Sequence, residues 1–395
     1  MLGLNMRLVG LLYAATAWIA PVSGALACPL CFSGLVITPG QKLDSADEAV
    51  LAVAIGNGVF RVVDVVKGDV DPAALITDPV ITAGVVGPLT SAEVEPVPAD
   101  GPGAAEGVVP WLLVRNGLTE EWTGLGTVHA RFAPWLRAVA ATSHGGTEQR
   151  AETWPQTVVS WSSLSESNWR ERLVLIAPQL ESSEPLVAAL SYGELSRAPY
   201  GVMRGLKPAL DPAAIAAWVE DPGLAERKPG YLLLLGIAGG DNAARIVATD
   251  IDAALRTAEA GGLATLLAAY LELHGADGVR WVEDAFFRDP SLGLQEIEAA
   301  RLALSVHGAA DGAVRRGRVV EAYRVFIAAH PPMAGFVAQD LESWQAWEAT
   351  PDFVAVVEAG AVKDPAGQFA IAGFLRSSPD PSARHALGVI VGAGK

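Results

Sequence analysis

Cysteine is scarce in this sequence, and its scarcity excludes several kinds of protein. Among 395 residues there are two cysteines, Cys28 and Cys31. A disulfide framework of the kind that holds small secreted domains together needs more cysteines, and a zinc site made of cysteines needs two such pairs. With 51% apolar and 18% charged residues, the chain must owe its stability to the hydrophobic cores of two or three domains.

Positive charge is scarce as well. The chain has 28 lysines and arginines against 44 acidic residues, for a net charge of −16. Such a protein lacks the basic surface with which proteins bind nucleic acid, and it is poorly suited to an anionic membrane surface. No apolar run is long enough to span a bilayer. We therefore expect a protein partner, no nucleic acid and no membrane span.

Motifs that carry catalysis are missing from the sequence. It contains no Gly-x-Ser-x-Gly elbow, no zinc-binding helix motif and no phosphate-binding loop. No two of the six histidines have ligand spacing within one helix; they are His129, His144, His274, His307, His330 and His385. His274 and His307 fall at predicted helix C-termini, where a cation favours the helix dipole. We therefore expect no catalytic residue, no metal ligand and no cofactor.

The N-terminus has the pattern of a secretory signal. Arg7 supplies a positive charge, Leu8–Ala20 is apolar, and Ala25–Ala27 fits the small-residue cleavage rule. We predict that residues 1–27 are a signal peptide cleaved between Ala27 and Cys28. The mature protein is then expected in the periplasm or outside the cell.

Cys28 and Cys31 follow the predicted cleavage site directly, and three interpretations are open. A local disulfide between them is favoured, because export implies an oxidising compartment. A lipid anchor on Cys28 is disfavoured, because Ala25 stands where a larger aliphatic residue is usual. A redox pair normally follows a strand and opens a helix, and no strand precedes Cys28.

The first half of the chain, residues 28–160, is predicted to be rich in β-strands. Two β-branched runs, 49–55 and 59–66, flank Asn57-Gly58, the sequence of a tight hairpin turn. Further strands are predicted at 80–86, 108–114 and 128–132, followed by a helix at 133–141. Residues 87–107 are acidic and rich in Pro and Gly, and we predict that this loop is disordered.

The second half, residues 161–395, is predicted to be entirely helical. Apolar helices that stop at a glycine recur around Gly239, Gly275 and Gly308, and the last step is 33 residues. Asp-Pro pairs such as Asp211-Pro212 precede other helices, since Asp caps the first free amides and Pro suits the first turn. Helical hairpins repeated at this interval bury their apolar faces against neighbours, so a solenoid is predicted.

Tryptophans and arginines cluster at two places. Six tryptophans lie between Trp111 and Trp169, where core packing is favoured over a sugar- or peptide-binding row. Arg315, Arg316 and Arg318 form the basic cluster, and Glu321 is placed to pair with Arg318 on one helix face.

Two family resemblances follow from these motifs. The glycine stops and Asp-Pro starts of the second half resemble HEAT-like α-solenoids, which implies a protein-binding scaffold. The first half resembles the netrin-like module of tissue inhibitors of metalloproteinases through Cys28, the Ala46–Val50 strand and Lys67-Gly68. That resemblance implies an OB-like β-barrel and a mature N-terminal amine that grips a protease zinc.

The fold class expected is therefore α+β with several domains, a small OB-like β-barrel followed by an all-α solenoid. The function expected is that of an exported, non-enzymatic scaffold that binds a protein through its helical repeats. Two alternatives stay open: a metalloprotease inhibitor acting through Cys28, and a thiol–disulfide protein using Cys28 and Cys31.

Overall fold

The structure, a computed structural model, describes residues 37–81, 108–117, 121–143, 147–153, 157–257, 262–289 and 291–393. The strands in these residues are β1 (Glu48–Gly56), β2 (Val59–Lys67), β3 (Leu75–Thr77), β4 (Val80–Ile81), β5 (Trp111–Arg115), β6 (Thr123–Thr127), β7 (Thr147–Thr153) and β8 (Thr157–Ser163). The helices are α1 (Pro39–Ser45), α2 (Ala133–Ala141), α3 (Glu166–Ile176), α4 (Pro185–Arg197), α5 (Tyr200–Met203), α6 (Pro212–Glu220), α7 (Lys228–Ala238), α8 (Asp241–Thr257), α9 (Leu263–Val282), α10 (Leu294–Ala310), α11 (Arg316–Ala329), α12 (Ala338–Ser343), α13 (Thr350–Glu358), α14 (Pro365–Ser377) and α15 (Pro381–Ala393). The chain therefore combines an N-terminal sheet with a helical region, an α+β architecture.

Six strands form a curled sheet with the shape of a half-barrel, in the order β3-β2-β1-β5-β6-β4. Neighbouring strands are antiparallel except β4 and β6, which are parallel. The predicted hairpin turn between β1 and β2 is confirmed. Asn57 and Gly58 both have positive φ, 54° and 72°, as a primed two-residue turn requires.

The sheet separates two hydrophobic cores. Because successive side chains of a strand point to opposite faces, Ala49 and Leu51 of β1 enter the core shared with the helices, whereas Val50 and Ala52 enter a second core. That second core also contains Phe60 on β2. Both faces of β1 are thus buried, which is why its sequence is a continuous apolar run rather than an alternating one.

Several predictions for the first half need correction or lie outside the described residues. The strand predicted at 128–132 is wrong: the strand is β6, and Ala130–Phe132 form a 3₁₀ turn that leads into α2. Pro134 at the start of α2 cannot donate to a sheet and favours the helical start. The helix predicted at 133–141 is confirmed as α2. The predicted loop 87–107 lies outside the described residues.

A buried ionic cluster joins the N-terminal elements to the helical region. Arg172 on α3 is fully buried, and its guanidinium donates to both carboxylate oxygens of Asp44 on α1, at 2.7 Å each. It also donates to Glu194 on α4 at 2.5 Å and to the Thr142 hydroxyl at 2.7 Å. Arg197 on α4 lies 3.2 Å from Glu194 and 3.4 Å from Asp44. Two arginines thus balance two carboxylates away from water.

The charges of this cluster stabilise one another. Burial alone lowers the pKa of Arg172, but the carboxylates of Glu194 and Asp44 outweigh that effect and raise its pKa above the ordinary value. Lys67 on β2 closes the cluster from the sheet side, donating to the Asp44 main-chain carbonyl at 2.7 Å. Burial lowers the pKa of Lys67, although Asp44 and Asp47 oppose the shift. The sheet and α1–α4 are therefore held by one set of charged contacts.

The helices from α6 onward pack against partners that are near in the sequence. Consecutive helices contact one another from α6 to α11 and from α13 to α15, and α12 packs on α14. In addition α7, α9, α11, α13 and α15 pack against one another in succession. Each odd-numbered helix from α7 to α13 thus lies beside the next odd-numbered helix, and the five helices form one continuous row.

Helix ends follow several of the predicted signals. Asp211 and Asp364 cap α6 and α14, each accepting from a backbone amide of the first turn. Gly239 ends α7 with a φ of 83°. Gly275 has a φ of 57° and kinks α9, so that the predicted stop appears as a break between two helical segments.

Gly308 is an exception, and the predicted helix stop there is wrong. The helix continues to Ala310 and ends at Asp311, which adopts the left-handed conformation with a φ of 47°. Gly308 is needed for packing instead: a Cβ atom at this position would lie 2.2 Å from Cη2 of Trp344. The Trp344 ring is itself stacked on Tyr323 at 5.7 Å, so it has little freedom to move away.

Gly308→Ala is therefore expected to lower the free energy of unfolding by about 1–3 kcal/mol, the usual cost of overpacking a core. Gly317→Ala on α11 is the matched control, because no neighbouring atom lies within 4 Å of its added Cβ. That control is expected to be neutral or to stabilise by up to about 1 kcal/mol. Urea denaturation measures both variants, and equal stabilities would contradict the close contact with Trp344.

Candidate functional site

The cysteine motif cannot be placed on the fold. Ala27, Cys28 and Cys31 lie outside the described residues, as does His144. The predicted cleavage site, disulfide, lipid anchor and redox pair therefore stay predictions. Within the described residues, no group of three or more His, Cys, Asp or Glu side chains is arranged to hold a metal ion.

Two of the described histidines have hydrogen-bond partners that sequence reasoning did not find. The half-exposed His129 ring is bonded through Nδ1 to Glu184, which directly precedes α4 and also contacts Arg131. His330 bonds through Nε2 to the Phe287 main-chain oxygen at 2.8 Å. These contacts span many residues of sequence, so no local spacing could reveal them.

His307 is the most strongly perturbed histidine, and the predicted capping role for it needs correction. It lies in the last turn of α10 as expected, but it is fully buried, and Nε2 lies 2.9 Å from the Ala268 carbonyl of α9. Burial lowers its pKa from 6.5 to about 4, although the Ala268 hydrogen bond opposes the shift. At neutral pH it is uncharged, so it cannot act as a cation at the helix end.

A polar cluster surrounds His307. Tyr200 packs its ring edge-on against the imidazole at 5.0 Å and donates its hydroxyl to Glu272. Arg204 donates through Nε to both Glu272 oxygens, at 3.0 and 3.1 Å. The residue types suit acid–base chemistry, but the Tyr200 hydroxyl and the Arg204 Nε both donate to the Glu272 carboxylate. We interpret this cluster as a buried support between α5, α9 and α10.

Among the predicted aromatic and basic clusters, Trp169, Arg316 and Arg318 make specific contacts within the fold. Trp169 is buried and lies under Arg197 at 5.2 Å, which confirms core packing for this tryptophan. Arg318 pairs with Glu321 at 3.6 Å as predicted, and it makes shorter contacts of 2.7 and 2.8 Å to Glu283. Arg316 donates to the Gly308 carbonyl at the end of α10 at 2.8 Å.

The most distinctive open feature is a surface groove between α11 and α13, with a volume of about 220 Å³. It is lined by Ile327, Ala328, Pro331, Asp352, Ala355, Val356 and Ala359. Asp352, Ala355, Val356 and Ala359 recur at helical spacing along α13 and its C-cap, whereas Ile327 and Ala328 lie near the end of α11 and Pro331 lies just after it. Ile327 and Val356 are buried and form the floor, whereas the alanines at 328, 355 and 359 are exposed and form the walls. We call this feature the α11/α13 groove.

An ion pair closes one end of the α11/α13 groove. Arg324 on α11 donates through Nε to Asp352 on α13 at 2.6 Å. The carboxylates of Asp352, Glu348 and Glu321 all raise the pKa of Arg324, with the Asp352 hydrogen bond the largest cause. Asp352 thus pairs with Arg324 at this end of the groove, and Glu321 is also paired with Arg318, at 3.6 Å.

A second pocket, of about 240 Å³, lies between α6 and α8. Its polar walls include Glu220, Arg245 and Thr249, and Lys228 at the start of α7 pairs with Asp250 at 2.7 Å. Both pockets are smaller than the usual range for small-molecule sites, which begins at about 300 Å³. Chemically, the two differ: the pocket at α6 and α8 is polar, whereas the α11/α13 groove is apolar with one charged end.

In the described part of the chain, no helix is both long enough and apolar enough to cross a membrane. Comparisons of the chain with known protein families, with curated proteins and with solved structures find no match.

Proposed function

We propose that this chain is an exported scaffold that binds another protein through its helical region. The observation that carries the proposal is the succession of α7, α9, α11, α13 and α15, each packed beside the next. In stacked helical-hairpin repeats each unit contacts its neighbours and the stack offers an extended binding surface. The same succession supports the HEAT-like solenoid inferred from the glycine and Asp-Pro pattern.

The N-terminal region fits the proposal as an OB-like module. A partly open, curled sheet of few strands is the shape of that class, and the six-stranded half-barrel agrees with it in outline. The chain order differs in detail, since β4 pairs with β6 in parallel. In this proposal the module is fixed to the helices through Arg172, and it does not act as an independent domain.

The proposed partner is a protein, and the proposed location is the periplasm or the outside of the cell. The charge of −16 disfavours nucleic acid, because phosphate binding needs a cationic surface. No geometry among the described residues favours the inhibitor or redox alternatives over the scaffold, since both depend on Cys28. These two alternatives accordingly stay predictions from the sequence.

Affinity capture from the native compartment tests the proposed function. The chain without residues 1–27 is immobilised, captured proteins are identified by mass spectrometry, and the binding of each purified candidate is then measured by titration calorimetry. We expect one protein to bind saturably. An excess of the same chain in solution is expected to compete with the immobilised chain for that protein. A chain that captures no saturable partner, yet turns over a substrate, would contradict the scaffold.

A further inference from the structure

Helix α14 carries the most exposed large apolar side chain in the described part of the chain. Phe369 is 76% exposed, whereas Phe is usually among the most buried residue types. Ile371, Phe374 and Leu375 of the same helix are buried, so α14 already packs one face against the fold. Its other face is a stripe at helical spacing that lies open or half-open to solvent, made of Ala366, Phe369, Gly373 and Arg376.

The surface around the exposed ring carries no charge. Residues 365–375 of α14 contain no ionisable side chain, and neither do residues 331–339. The two segments touch, since a Cβ atom added to Gly335 would lie 2.5 Å from the Cα of Gly367. Phe336, directly after Gly335, is itself 42% exposed. In a chain with a net charge of −16, this is a surface that a second copy can approach with little repulsion.

The two ends of the α14 stripe carry opposite charges. Asp364 lies at the N-terminal end, where it is exposed and accepts from the Gly367 amide at 2.7 Å. Arg376 lies at the C-terminal end, and in the described part of the chain neither a hydrogen bond nor an ion pair holds its exposed guanidinium. Lys363 precedes Asp364, but its ammonium is directed to Gly360 after α13. The stripe is therefore negative at its start, uncharged in the middle and positive at its end.

Phe369 and Gly373 lie one turn apart on this stripe and fit one another across a two-fold axis. When two copies of α14 pack antiparallel, with the axis at the level of residue 371, the Phe369 ring of each copy lies against Gly373 of the other. The glycine leaves room for the ring: outside its own helix, an added Cβ atom would meet only Glu342 among the described residues, at 3.3 Å. A contact of this kind uses the same surface on both copies and closes at two.

The same antiparallel arrangement joins the charged ends. Arg376 of one copy then lies opposite Ala366 of the other, and Asp364 of that copy is two residues, about 3 Å, further along the axis. The exposed guanidinium spans this distance and pairs with the carboxylate, once at each end of the contact. A parallel arrangement would instead bring like charges and like helix dipole ends together. Charge therefore favours a second copy in the antiparallel orientation.

We propose that the chain forms a two-fold dimer through α14, with Phe369 at its centre. The proposal goes beyond the scaffold function and does not depend on it. A contact centred on one helix of 13 residues falls at the small end of protein interfaces, whose standard size is about 1,600 Å². The dimer is accordingly expected to be weak, with a dissociation constant on the order of 10 µM.

Sedimentation velocity of the exported chain, purified from the cells that make it, tests the proposal. Over a concentration range from about 1 to about 300 µM, which spans the expected dissociation constant, we expect the sedimentation coefficient to rise from that of a monomer to that of a dimer. Phe369→Ala removes the central ring, and Gly373→Ala fills the space that receives it. Each is expected to weaken the dimer at least about tenfold.

Matched controls separate the α14 contact from general effects of the same substitutions. Val174→Ala truncates an apolar side chain on α3 that is 68% exposed, and Gly388→Ala adds a methyl group on α15 where nothing lies within 4 Å. Both are expected to dimerise as the unmodified chain does. Arg376→Gln is expected to remove most of the weakening that added salt causes, because it removes the charged pairs at the two ends.

Each outcome decides the proposal. A monomer–dimer equilibrium that is weakened by both α14 variants and by neither control supports it. A chain that stays monomeric over the whole range overturns it, as does a species larger than a dimer. A dimer that keeps its affinity in Phe369→Ala uses another surface and also overturns it. Because Phe369 is exposed, its truncation leaves the fold intact, which urea denaturation checks. Protein capture by a monomeric chain would leave the scaffold function standing.

Discussion

Arg172→Met is expected to lower the free energy of unfolding by about 3–5 kcal/mol, the largest loss from any single substitution considered. The guanidinium is fully buried and donates to Asp44 and Glu194. Removing it leaves two buried carboxylates close together, with only Arg197 and the Lys67 ammonium as cations beside them. Because Asp44 lies on α1 beside the sheet and Glu194 lies on α4, both the N-terminal sheet and the helical region are expected to be destabilised.

Two further variants give this prediction its controls, all measured by urea denaturation. Arg170→Met lies on the same helix, but its side chain and that of its partner Glu166 are about two-thirds exposed, so a change below about 0.5 kcal/mol is expected. Adding Asp44→Asn and Glu194→Gln to Arg172→Met removes the unpaired charges and is expected to restore part of the lost stability. If Arg172→Met costs no more than Arg170→Met, the cluster does not hold the two regions together.

His307 is expected to make the protein less stable as the pH falls from about 7 to about 5. Its pKa in the fold is about 4, below the ordinary 6.5, so the unfolded chain takes up a proton in a range where the folded chain does not. Its contribution is complete above pH 6.5 and is lost as the pH falls toward 4. Over two pH units the loss attributable to this ring is about 2 kcal/mol.

The measurement is the free energy of unfolding against pH for the unmodified chain, His307→Gln and His385→Gln. Glutamine retains a donor for the Ala268 carbonyl but does not titrate, so His307→Gln is expected to flatten the curve between about pH 7 and 5. Glu272 and Arg204 face the ring in every variant and leave the comparison unchanged. His385 is exposed, and its variant serves as the control. A slope unaltered in His307→Gln would mean that the ring is not held neutral.

The sequence was informative where the signal is local. The helical content of the second half was predicted from apolar helices that stop at glycine and from Asp-Pro pairs, because both reflect contacts within one or two turns. The turn at Asn57-Gly58 was predicted for the same reason. The helix end predicted at Gly308 was wrong because a glycine near a helix end can have either of two roles. It can adopt the left-handed conformation that ends the helix, or it can allow a neighbouring side chain to pack closely. Only the position of Trp344 distinguishes them.

The ionic cluster and the α11/α13 groove were not predictable from the sequence. Arg172 and Asp44 are separated by 128 positions, and nothing in the surroundings of either residue indicates the other. The groove is lined by alanines, which are ordinary helix residues until two helices place them on facing walls. Asp352 lies 28 residues after Arg324, but this single spacing does not show that the two residues meet across a groove.

Photo-crosslinking in the cells that make the protein tests the scaffold most directly. The photoreactive amino acid benzoylphenylalanine is placed at Ala355 in the groove in one variant and at Ala217 on α6 in another. We expect light to produce a covalent adduct with one other protein from position 355 and none from position 217. No adduct from either position, or the same adducts from both, would contradict specific protein binding by the stacked helices.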